Sequence, residues 1–579
     1  MAIELITEVA NSHQGNIGLL KKIITNFFEV GAKSIKFQIY FAEDFLTKNH
    51  ERFLHFKKQS FSENEWKQII AFTRKKGFKK IYADVLGEKA FRVAKKLRVD
   101  GYKIHSSDLN NDTLLKKVSS ENKKIFLSVG GAKLFEIDHA LSFFKNGSIK
   151  PILMHGFQSY PTKIEDVNLN FIHFLKKNFG NKCEYGYQDH LSGTSKLGLY
   201  MSLISLGTGI KYLERHVTLN RKLKGVDYYS SIEPKEFKNL TKILNLVNKG
   251  LLEKTNSFSE SENVYRKTTK KFWITRKNLI KGSKIKLNDL EFKRINNKNR
   301  EPLILKEILN KKIIVDLKKG SIICNSHFKK KVCATIVARY DSKRLPGKAS
   351  IKIQNLSLLD ILIQRIKQSK LIDEIIFCTT ENASDDVLCN IALKNKVSVF
   401  RGLEKNVLGR ILAGTHKNKP DIIIRITGDD ILVDPNYLDQ AVKFHLENNL
   451  DYTDHKQLPS GTETEIFNWN ILNFINLNAE DNSGTEYLTY YIKNNEFLFR
   501  TGTAPVEKKH KKKIRLTIDN LKDLNFVKPF LQKMISMDKV VSFNLDDIIN
   551  FYGNKKNMQK KNLNFNINTK LKTYHLDYL

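Results

Sequence analysis

The sequence predicts an α/β protein with three successive parts: a (βα)8 barrel, a small β-rich module and a Rossmann-like sheet of mostly parallel strands. Three observations support this prediction. Short β-branched or aromatic runs alternate with longer stretches of helical periodicity through residues 1–255, and the same alternation resumes at residue 331. Between these regions, residues 270–328 contain short apolar runs separated by Lys-Gly turns.

The first part contains eight short runs typical of strands. The runs are residues 3–9, 34–40, 80–85, 101–105, 124–129, 151–155, 184–188 and 211–217. Helical candidates between them are residues 19–30, 63–76, 88–96, 112–119, 136–144 and 195–205. Eight strand–helix units in about 250 residues indicate a (βα)8, or TIM, barrel over residues 1–255, with an active site expected at the carboxyl ends of its strands.

The rest of the chain divides by composition. Residues 256–269 are polar and predict a linker, whereas residues 270–328, with LIKGSKI and LKKGSII, predict a compact β-rich module. Residues 331–552 begin with VCATIVA and the basic loop RYDSKRLPGK, and they predict an open, mostly parallel sheet. Its further strand candidates are residues 374–379, 397–400 and 421–427. The Asn/Lys-rich residues 553–579 predict a polar tail.

Composition argues against several classes of protein. Of the 579 residues, 41% are hydrophobic, which is enough for folded cores, and no apolar run is long enough to predict a membrane-spanning helix. The first residues lack the basic and apolar regions of a secretory signal, and the five cysteines form no CxxC pair. We therefore expect a cytoplasmic protein with no membrane partner.

The net charge of +38 makes nucleic-acid binding an alternative. The lysines, however, run through the whole chain and form no single stripe interleaved with aromatic residues. We expect no nucleic-acid partner. A positive field also favours the capture of small phosphorylated or carboxylated substrates.

Polar side chains gather at the predicted carboxyl ends of the barrel strands. They include Glu8, Lys36, Gln38, Lys103, Ser106, Asp108, Ser128, Gln158, Tyr160, His190, Glu214, His216 and Asp227. Lysines are costly to bury unless they meet an anion, so Lys36 and Lys103 suggest a phosphate or carboxylate ligand. Either His190 or His216 alone is more often a structural histidine, but their positions at adjacent strand ends favour a divalent metal.

A basic loop follows the first predicted strand of the third part. Its polar members include Arg339, Ser342, Arg344 and Lys348. Such a loop suits a nucleoside triphosphate, although in a lysine-rich chain it is also compatible with a solvated surface. Asp429 and Asp519 each follow a predicted strand, and two such carboxylates are able to share Mg²⁺, whereas either alone is more often a helix cap or turn residue.

The barrel residues carry a resemblance to a known family. The matching segments are TEVANSHQGN, IKFQ, YKIHSSDLNN, FLSVGG, HGFQSYPT, GYQDH and LERHVTLNRKLKGVD. Over residues 3–250 the chain resembles the sialic acid synthase family, whose members condense phosphoenolpyruvate with an N-acylated amino sugar to a nine-carbon 2-keto acid. Residues 270–328 resemble the antifreeze-like (SAF) domain of that family, and FKRI places Arg294 where members send an arginine into the active site of the partner subunit.

This resemblance implies roles for the residues at the matching positions. The catalytic residues would be Glu8, Lys36, Lys103, Asp108 and Arg294. The substrate-binding residues would be Gln38, Ser106, Ser128, Gln158, Tyr160 and Asp227, of which Ser106 and Ser128 join the two lysines around phosphoenolpyruvate. His190 and His216 would hold Mn²⁺ or Mg²⁺, and the role of Arg294 implies a homodimer that exchanges SAF domains.

Three barrel positions depart from the family. Where members carry Thr, Asn and Ser near phosphoenolpyruvate, this chain has Asp84, Gln158 and Gln188. A carboxylate beside a bound anion is repulsive unless it is protonated or paired, which makes Asp84 the least compatible of the three. A barrel with a different sugar or a drifted reaction is therefore an alternative.

The third part resembles a second family. ARYDSKRLPGK, LIDEIIFCTTENASDD, VFRGLEKNVLGR, IRITGDDILVDP and RLTIDNLKDL match, in order, the cytidylyltransferases of the spore-coat polysaccharide type, relatives of the CMP-sugar synthetases. The resemblance implies that the basic loop binds the phosphates of CTP, that Asp429 and Asp519 bind Mg²⁺, and that a sugar hydroxyl attacks the α-phosphate. Asp430 stands where members usually have a small residue or Cys.

The two resemblances together predict a bifunctional enzyme that makes a nonulosonic acid and then activates it as a CMP-sugar. The alternatives are a chain in which only the cytidylyltransferase half is active, a nucleic-acid-binding protein, and a non-catalytic sugar-binding regulator. Several amino sugars fit the sequence equally: N-acetylmannosamine and the diacetamido sugars that lead to legionaminic or pseudaminic acid.

Overall fold

The structure of the chain is a computed structural model that describes residues 3–144, 149–157, 159–251, 257–296, 300–479, 488–553 and 571. The chain divides into two compact units, Met1–Glu253 and Lys254–Leu579. The predicted polar tail, residues 553–579, lies outside the described residues apart from Gly553 and Leu571. Within the described ranges, no helix is both long and apolar enough to cross a membrane.

The first unit is the predicted (βα)8 barrel. Its strands are β1 (Glu4–Glu8), β2 (Ser34–Tyr40), β3 (Lys80–Leu86), β4 (Gly101–Ile104), β5 (Lys124–Ser128), β6 (Ile152–His155), β7 (Glu184–Asp189) and β8 (Tyr212–His216). They pair in sequence order, and β8 closes the barrel by pairing parallel to β1, with Glu8 opposite His216. The predicted fold class is confirmed.

Helices follow the strands of the barrel. They are α1 (Ile17–Glu29), α2 (Ala42–Phe45), α3 (Phe53–Gln59), α4 (Glu63–Lys76), α5 (Glu88–Lys96), α6 (Asp112–Ser119), α7 (Leu134–Ser142), α8 (Asn170–Phe179), α9 (Lys196–Gly207) and α10 (Pro234–Gly250). Helix α4 shows why these boundaries form: Ser62 and Glu65 make a capping box at its start, and Gly77, with φ +104°, ends it.

The interior of the barrel changes from apolar to charged along its strands. Ile6, Tyr82, Phe126, Ile152, Met154 and Tyr212 form a buried apolar cluster. Because side chains two residues apart point to the same face of a strand, Glu8 follows Ile6, Asp84 follows Tyr82 and Glu214 follows Tyr212 on the interior face. The carboxyl ends of the strands therefore carry the polar site.

The described part of the second unit contains two small two-stranded sheets and a larger mixed sheet. Its strands are β9 (Lys271–Thr275), β10 (Leu290–Arg294), β11 (Val332–Val337), β12 (Lys352–Ile353), β13 (Leu356–Ser357), β14 (Glu374–Thr380), β15 (Ser398–Gly402), β16 (Ile422–Thr427), β17 (Tyr452–Asp454), β18 (Glu465–Asn468) and β19 (Thr501–Thr503). One small sheet consists of β9 and β10 and the other of β12 and β13, and the larger sheet has the order β15-β14-β11-β16-β18-β17-β19. Strands β15, β14, β11 and β16 are parallel, and β18 runs antiparallel to β16.

The helices of the second unit begin inside the segment predicted as a linker. They are α11 (Glu260–Thr269), α12 (Leu358–Ile366), α13 (Asp386–Lys394), α14 (Val407–Thr415), α15 (Pro435–Glu447), α16 (Trp469–Asn478), α17 (Leu488–Lys493), α18 (Leu521–Ser536) and α19 (Leu545–Tyr552). Helix α11 forms because Ser259 and Glu262 make a capping box, a local signal within the polar stretch.

The β-rich module and the larger sheet contact each other through polar groups. Arg500 lies 2.9 Å from Glu307 of the module and 2.8 Å from Asp451. The buried Asn449 side chain donates to the Glu301 carbonyl at 2.7 Å and accepts from the Asn325 N–H at 2.8 Å. The two parts therefore form a single packed unit.

Candidate active sites

Five charged side chains lie together inside the barrel at the carboxyl ends of its strands. Glu8, Lys36, Asp84, Lys103 and Glu214 are each at most 4% exposed. Lys36 Nζ lies 2.5 Å from Glu8 Oε2 and 2.9 Å from Glu214 Oε1, and Lys103 Nζ lies 2.7 Å from the same Glu214 oxygen. Asp84 Oδ2 lies 3.6 Å from Lys36 Nζ. Asp84 thus makes only a long ion pair with Lys36, which Glu8 and Glu214 contact more closely.

The charges of this cluster depend on one another. Burial raises the pKa of Glu214, but Lys103 and Lys36 outweigh that effect and hold the pKa well below its usual range. Burial lowers the pKa of Lys36, whereas the charges of Glu214 and Asp84 outweigh burial at Lys103 and raise its pKa. A buried network of this kind is a poor source of stability, which favours a role in binding or catalysis.

His190 and His216 face each other at the ends of β7 and β8. Their ring centroids are 5.0 Å apart, and the Tyr160 ring lies 5.1 and 5.5 Å from them. Burial lowers the pKa of both histidines, that of His190 to about 4, so both rings are neutral near pH 7. Among the described residues, neither ring has a hydrogen-bond partner for its Nδ1 atom, and Asp227 Oδ2 lies 3.8 Å from that of His216.

Neutral imidazole nitrogens without a partner fit the predicted divalent metal. Among the described residues, no group of three or more His, Cys, Asp or Glu side chains is arranged to hold a metal ion. His190 and His216 are therefore a two-ligand site at most, and water or substrate would have to complete the coordination shell.

An ion pair that sequence reasoning missed fixes the strands that carry the histidines. Asp189 and Arg215 immediately precede His190 and His216, are opposite each other in the β7–β8 register, and form a buried ion pair. Ser202 of α9 also donates a hydrogen bond to Asp189 at 2.8 Å. The sequence signal for this ion pair is found in QDH and ERH, where a charged residue precedes each histidine.

Two further predicted residues lie on barrel strands with polar partners. Gln38 Oε1 accepts a hydrogen bond from Asn11 at 3.4 Å, and Ser128 Oγ accepts one from Gln188 Nε2 at 2.8 Å. The same Gln188 nitrogen donates to the Gly156 carbonyl at 2.5 Å. Gln188, one of the departures from the family, is thus used to hold Ser128.

The remaining predicted barrel residues have different surroundings. Ser106 and Asp108 share a one-turn 3-10 helix after β4, where Asp108 accepts a hydrogen bond from Asn111 at 2.9 Å. Gln158 lies outside the described residues. Arg294 is the exposed last residue of β10, in the second unit.

The second unit has a cavity of about 480 Å³ at the carboxyl ends of β11 and β16. Its lining includes all six residues predicted for this part: Arg339, Ser342, Arg344, Lys348, Asp429 and Asp519. It also includes Glu404, Arg410 and Arg425, which sequence reasoning did not single out. A cavity lined by several cations and two aspartates is able to hold a triphosphate with its metal ion.

The cations and carboxylates of this cavity neutralise one another. Lys348 Nζ lies 2.8 Å from Asp429 Oδ2 and 3.6 Å from Asp519 Oδ1, and Arg344 lies 2.7 Å from the same Asp519 oxygen. Arg339 pairs with Glu404. A nucleotide with Mg²⁺ would exchange these contacts for phosphate–cation and metal–carboxylate contacts.

Comparisons with known proteins match each of the two parts of the chain. Residues 23–255 match the NeuB family, and residues 333–543 match the Cytidylyltransferase family. An uncharacterized protein of Methanocaldococcus jannaschii is 33% identical over 322 residues, 55% of this chain and 92% of that protein. Spore coat polysaccharide biosynthesis protein SpsF of Bacillus subtilis is 35% identical over 222 residues, 37% of this chain and 92% of that protein. The chain belongs to both families.

A third relative bears on the NeuB part. N,N'-diacetyllegionaminic acid synthase of Campylobacter jejuni is 29% identical over 314 residues, 50% of this chain and 90% of that protein. Together with the two family matches, it makes the chain a bifunctional enzyme of nonulosonic acid biosynthesis, with a synthase and a cytidylyltransferase activity. The alternative in which only the cytidylyltransferase half is active is not favoured.

Arg410 of the cytidylyltransferase part is buried without a full set of partners. Its side chain lines the cavity, the residue is only 3% exposed, and its Nε and Nη1 atoms find no hydrogen-bond partner among the residues that the structure describes. Buried guanidinium donors are normally paired, so this arrangement calls for an anionic or acceptor ligand. The sequence did not single out Arg410, because VLGRILAG is an apolar helix pattern. Arg410 is nevertheless the last residue of the matching segment VFRGLEKNVLGR.

Asp430 departs from the cytidylyltransferase family beside a predicted metal ligand. Burial and the charge of Asp429 raise the pKa of Asp430 to about 7. Its Oδ2 accepts a hydrogen bond from Thr427 at 2.6 Å. Near pH 7 the carboxyl group of Asp430 therefore carries less negative charge than an ordinary aspartate would beside Asp429.

Proposed function

We propose that the NeuB part condenses phosphoenolpyruvate with an N-acylated amino sugar to a nine-carbon 2-keto acid, which the cytidylyltransferase part then activates with CTP. The observation that carries this proposal is that each part has its own charged site. The barrel holds two lysines in a buried carboxylate network, and the second unit has a cavity lined by cations and two aspartates. The product of the first reaction is the substrate of the second.

In the barrel, Lys36, Lys103, Ser106 and Ser128 would bind the phosphate and carboxylate groups of phosphoenolpyruvate. Glu8, the catalytic carboxylate, is held in place because its Oε1 accepts the Ala10 N–H at 2.7 Å and its Oε2 pairs with Lys36. The methylene carbon of phosphoenolpyruvate attacks the aldehyde carbon of the open-chain sugar, water adds to C2, and phosphate leaves.

The sugar would be positioned by side chains around the histidine pair. These are Gln38, Asp108, Gln158, Tyr160 and Asp227, joined by Arg294 of the partner subunit in a homodimer. When Mn²⁺ or Mg²⁺ is bound to His190 and His216, it supplies Lewis-acid polarisation of the sugar aldehyde. The Tyr160 ring packs against both histidines.

In the cytidylyltransferase part, Arg339, Ser342, Arg344 and Lys348 would bind the triphosphate of CTP. Asp429 and Asp519 would hold Mg²⁺. Lys348 would then lose its ion pairs with these two carboxylates and contact the phosphates instead. The anomeric hydroxyl of the keto acid then attacks the α-phosphate in line, and pyrophosphate leaves. Because these cations already point into one cavity, nucleotide binding requires exchange of ion pairs rather than a change of fold.

The deciding experiment measures the two leaving groups separately. The full chain is supplied with phosphoenolpyruvate, CTP, Mg²⁺ and Mn²⁺, and phosphate and pyrophosphate are followed for each amino sugar. Sugar-dependent release of both is the expected result. Pyrophosphate release only with a supplied keto acid, and no phosphate release with any sugar, would overturn the proposed barrel reaction.

The sugar panel starts from the diacetamido sugars, because a relative is N,N'-diacetyllegionaminic acid synthase. N-acetylmannosamine is the matched comparison, since it lacks the second acetamido group. We place the enzyme in the cytoplasm, where CTP and phosphoenolpyruvate are available. All five cysteines are buried and free, which suits a reducing compartment.

A further inference from the structure

Asp84 occupies the strand between the two lysines of the barrel cluster. It lies on β3, between β2 with Lys36 and β4 with Lys103, and it is opposite Lys103 in the β3–β4 register. Its Oδ2 is 3.6 Å from Lys36 Nζ, and its buried Oδ1 has no hydrogen-bond partner in the part of the chain that the structure describes. Asp84 therefore adds a negative charge to the site, but its side chain makes no hydrogen bond with the described residues that would stabilise the fold.

Lys36 does not depend on Asp84 for its position. Glu8 and Glu214 contact the same ammonium group at 2.5 and 2.9 Å, both closer than Asp84. Two ammonium groups face three carboxylates in the cluster, so the network has one excess negative charge. Without the Asp84 carboxylate the charges of the cluster would balance.

We propose that Asp84 weakens the binding of phosphate-bearing anions to the barrel, an inference that rests on the proposed function. A phosphate or carboxylate oxygen bound to Lys36 would lie within about 7 Å of the Asp84 carboxylate. Like charges at that separation, in a partly buried site, change binding by about tenfold or more. The consequence is a weaker hold on phosphoenolpyruvate and an easier release of the phosphate product.

The test is calorimetric titration of the full chain with phosphoenolpyruvate and, separately, with inorganic phosphate, in the absence of sugar. Each titration is run with EDTA and with Mn²⁺. Asp84→Asn removes the charge and keeps the shape, Asp84→Glu keeps the charge, and Asp84→Thr is a second neutral variant should the asparagine variant fold poorly. Glu4→Gln is the matched control.

Glu4 is a suitable control because it forms a carboxylate–lysine pair at the opposite end of β1. Its Oε2 lies 2.9 Å from Lys124 Nζ, and its Oε1 accepts a hydrogen bond from the Tyr82 hydroxyl at 2.6 Å. Its removal perturbs the barrel without changing the charge of the cluster. Thermal unfolding of each variant shows whether the barrel remains folded.

The expected result is that both neutral Asp84 variants bind the two anions about tenfold or more tightly than the wild type, while Asp84→Glu and Glu4→Gln do not. In turnover, the KM for phosphoenolpyruvate and the inhibition constant for phosphate fall together, and the KM for the sugar stays constant. Unchanged or weaker anion binding in folded neutral variants would overturn the inference alone. Failure of every protein to bind phosphoenolpyruvate would overturn the proposed donor site and the inference with it.

Discussion

Arg410 brings a charge into the interior of the cytidylyltransferase part with donors that have no partner. Its Nε and Nη1 atoms are buried and make no hydrogen bond within the described ranges of the chain, and burial lowers the pKa of the guanidinium. An arginine in this state is costly to the folded chain, because each unpaired buried donor loses its hydration. Its position on the lining of the nucleotide cavity gives a reason to retain it.

We therefore expect Arg410→Gln to raise the KM for CTP by roughly tenfold to a hundredfold, the range of one charge-assisted hydrogen bond. Initial rates of pyrophosphate release against CTP concentration measure this effect. Arg401→Gln is the control, because Arg401 pairs with the exposed Asp386 and does not line the cavity. Equal effects of the two changes would show that Arg410 acts through general charge and not through contact with the nucleotide.

His445 is a buried histidine whose hydrogen bonds require the neutral ring. Asn468 donates its side-chain N–H groups to Leu450 and Asp451, so its oxygen accepts from His445 Nε2 at 3.0 Å. The other ring nitrogen lies 2.9 Å from the Thr453 hydroxyl, which donates to it. Burial lowers the pKa of His445 to about 4.

The pH dependence of stability follows from this shift. The unfolded chain binds a proton at His445 below about pH 6.5, whereas the folded chain does so only near pH 4. The contribution of the neutral His445 ring to stability is complete above pH 6.5. It is lost as the pH falls from 6.5 to about 4, and the free energy of unfolding decreases by about 3 kcal/mol in total over this range. Urea unfolding of the wild type and of His445→Gln across this range should show a shallower acid loss in the variant. The exposed His139→Gln should behave as the wild type.

At the scale of elements, periodicity predicts the barrel well because each strand–helix unit is a local pattern. The same two-residue alternation that marks β1, β3 and β8 also places Glu8, Asp84 and Glu214 on the interior face. Pairing across the chain is not local, which is why the antiparallel β18 was not predicted. Helix α11 carried a readable signal, the Ser259–Glu262 capping box, inside a stretch whose polarity suggested a linker.

The contact between the β-rich module and the larger sheet also depends on pairing distant in sequence. Arg500 bridges Glu307 and Asp451, and burial, which lowers its pKa, is outweighed by these two carboxylates. Asp451 is 4% exposed, so loss of Arg500 would leave a buried carboxylate without its main partner. Arg500 is therefore a stabilising contact of the whole second unit.

We expect Arg500→Gln to lower the free energy of unfolding of the second unit by about 2 kcal/mol, less than a fully buried pair because the side chain is partly exposed. Hydrogen exchange provides the local readout. The N–H groups of Glu301 and Asn325, which bond Asn448 and Asn449 across the contact, should exchange faster. Substitution of the exposed Arg276 by Gln should change neither the free energy of unfolding nor the hydrogen exchange. If that substitution caused a similar loss of stability, Arg500 would contribute only surface charge.

At the scale of the whole molecule, the net charge taken alone suggests nucleic-acid binding, which the two candidate sites do not require. The charge of +38 is compatible with nucleic-acid binding, yet the positions that matter are lysines and arginines paired with carboxylates inside two enzyme parts. Net charge alone therefore does not separate a polyanion-binding surface from a chain with anionic substrates. The motifs at the strand ends separate these two possibilities, because they place specific residue types at specific positions of the fold.

The two-site assignment predicts reciprocal losses in one chain. His190→Ala removes one of two buried imidazoles at the barrel mouth, so phosphate release should fall by at least about a hundredfold while pyrophosphate release from CTP and a supplied keto acid persists. Lys348→Ala removes the cation that contacts Asp429 and Asp519, so pyrophosphate release should fall while phosphate release persists. Both activities are measured on the same preparations, with thermal unfolding as the check on folding. If each substitution damaged both activities equally in folded protein, the assignment of two separate sites would be wrong.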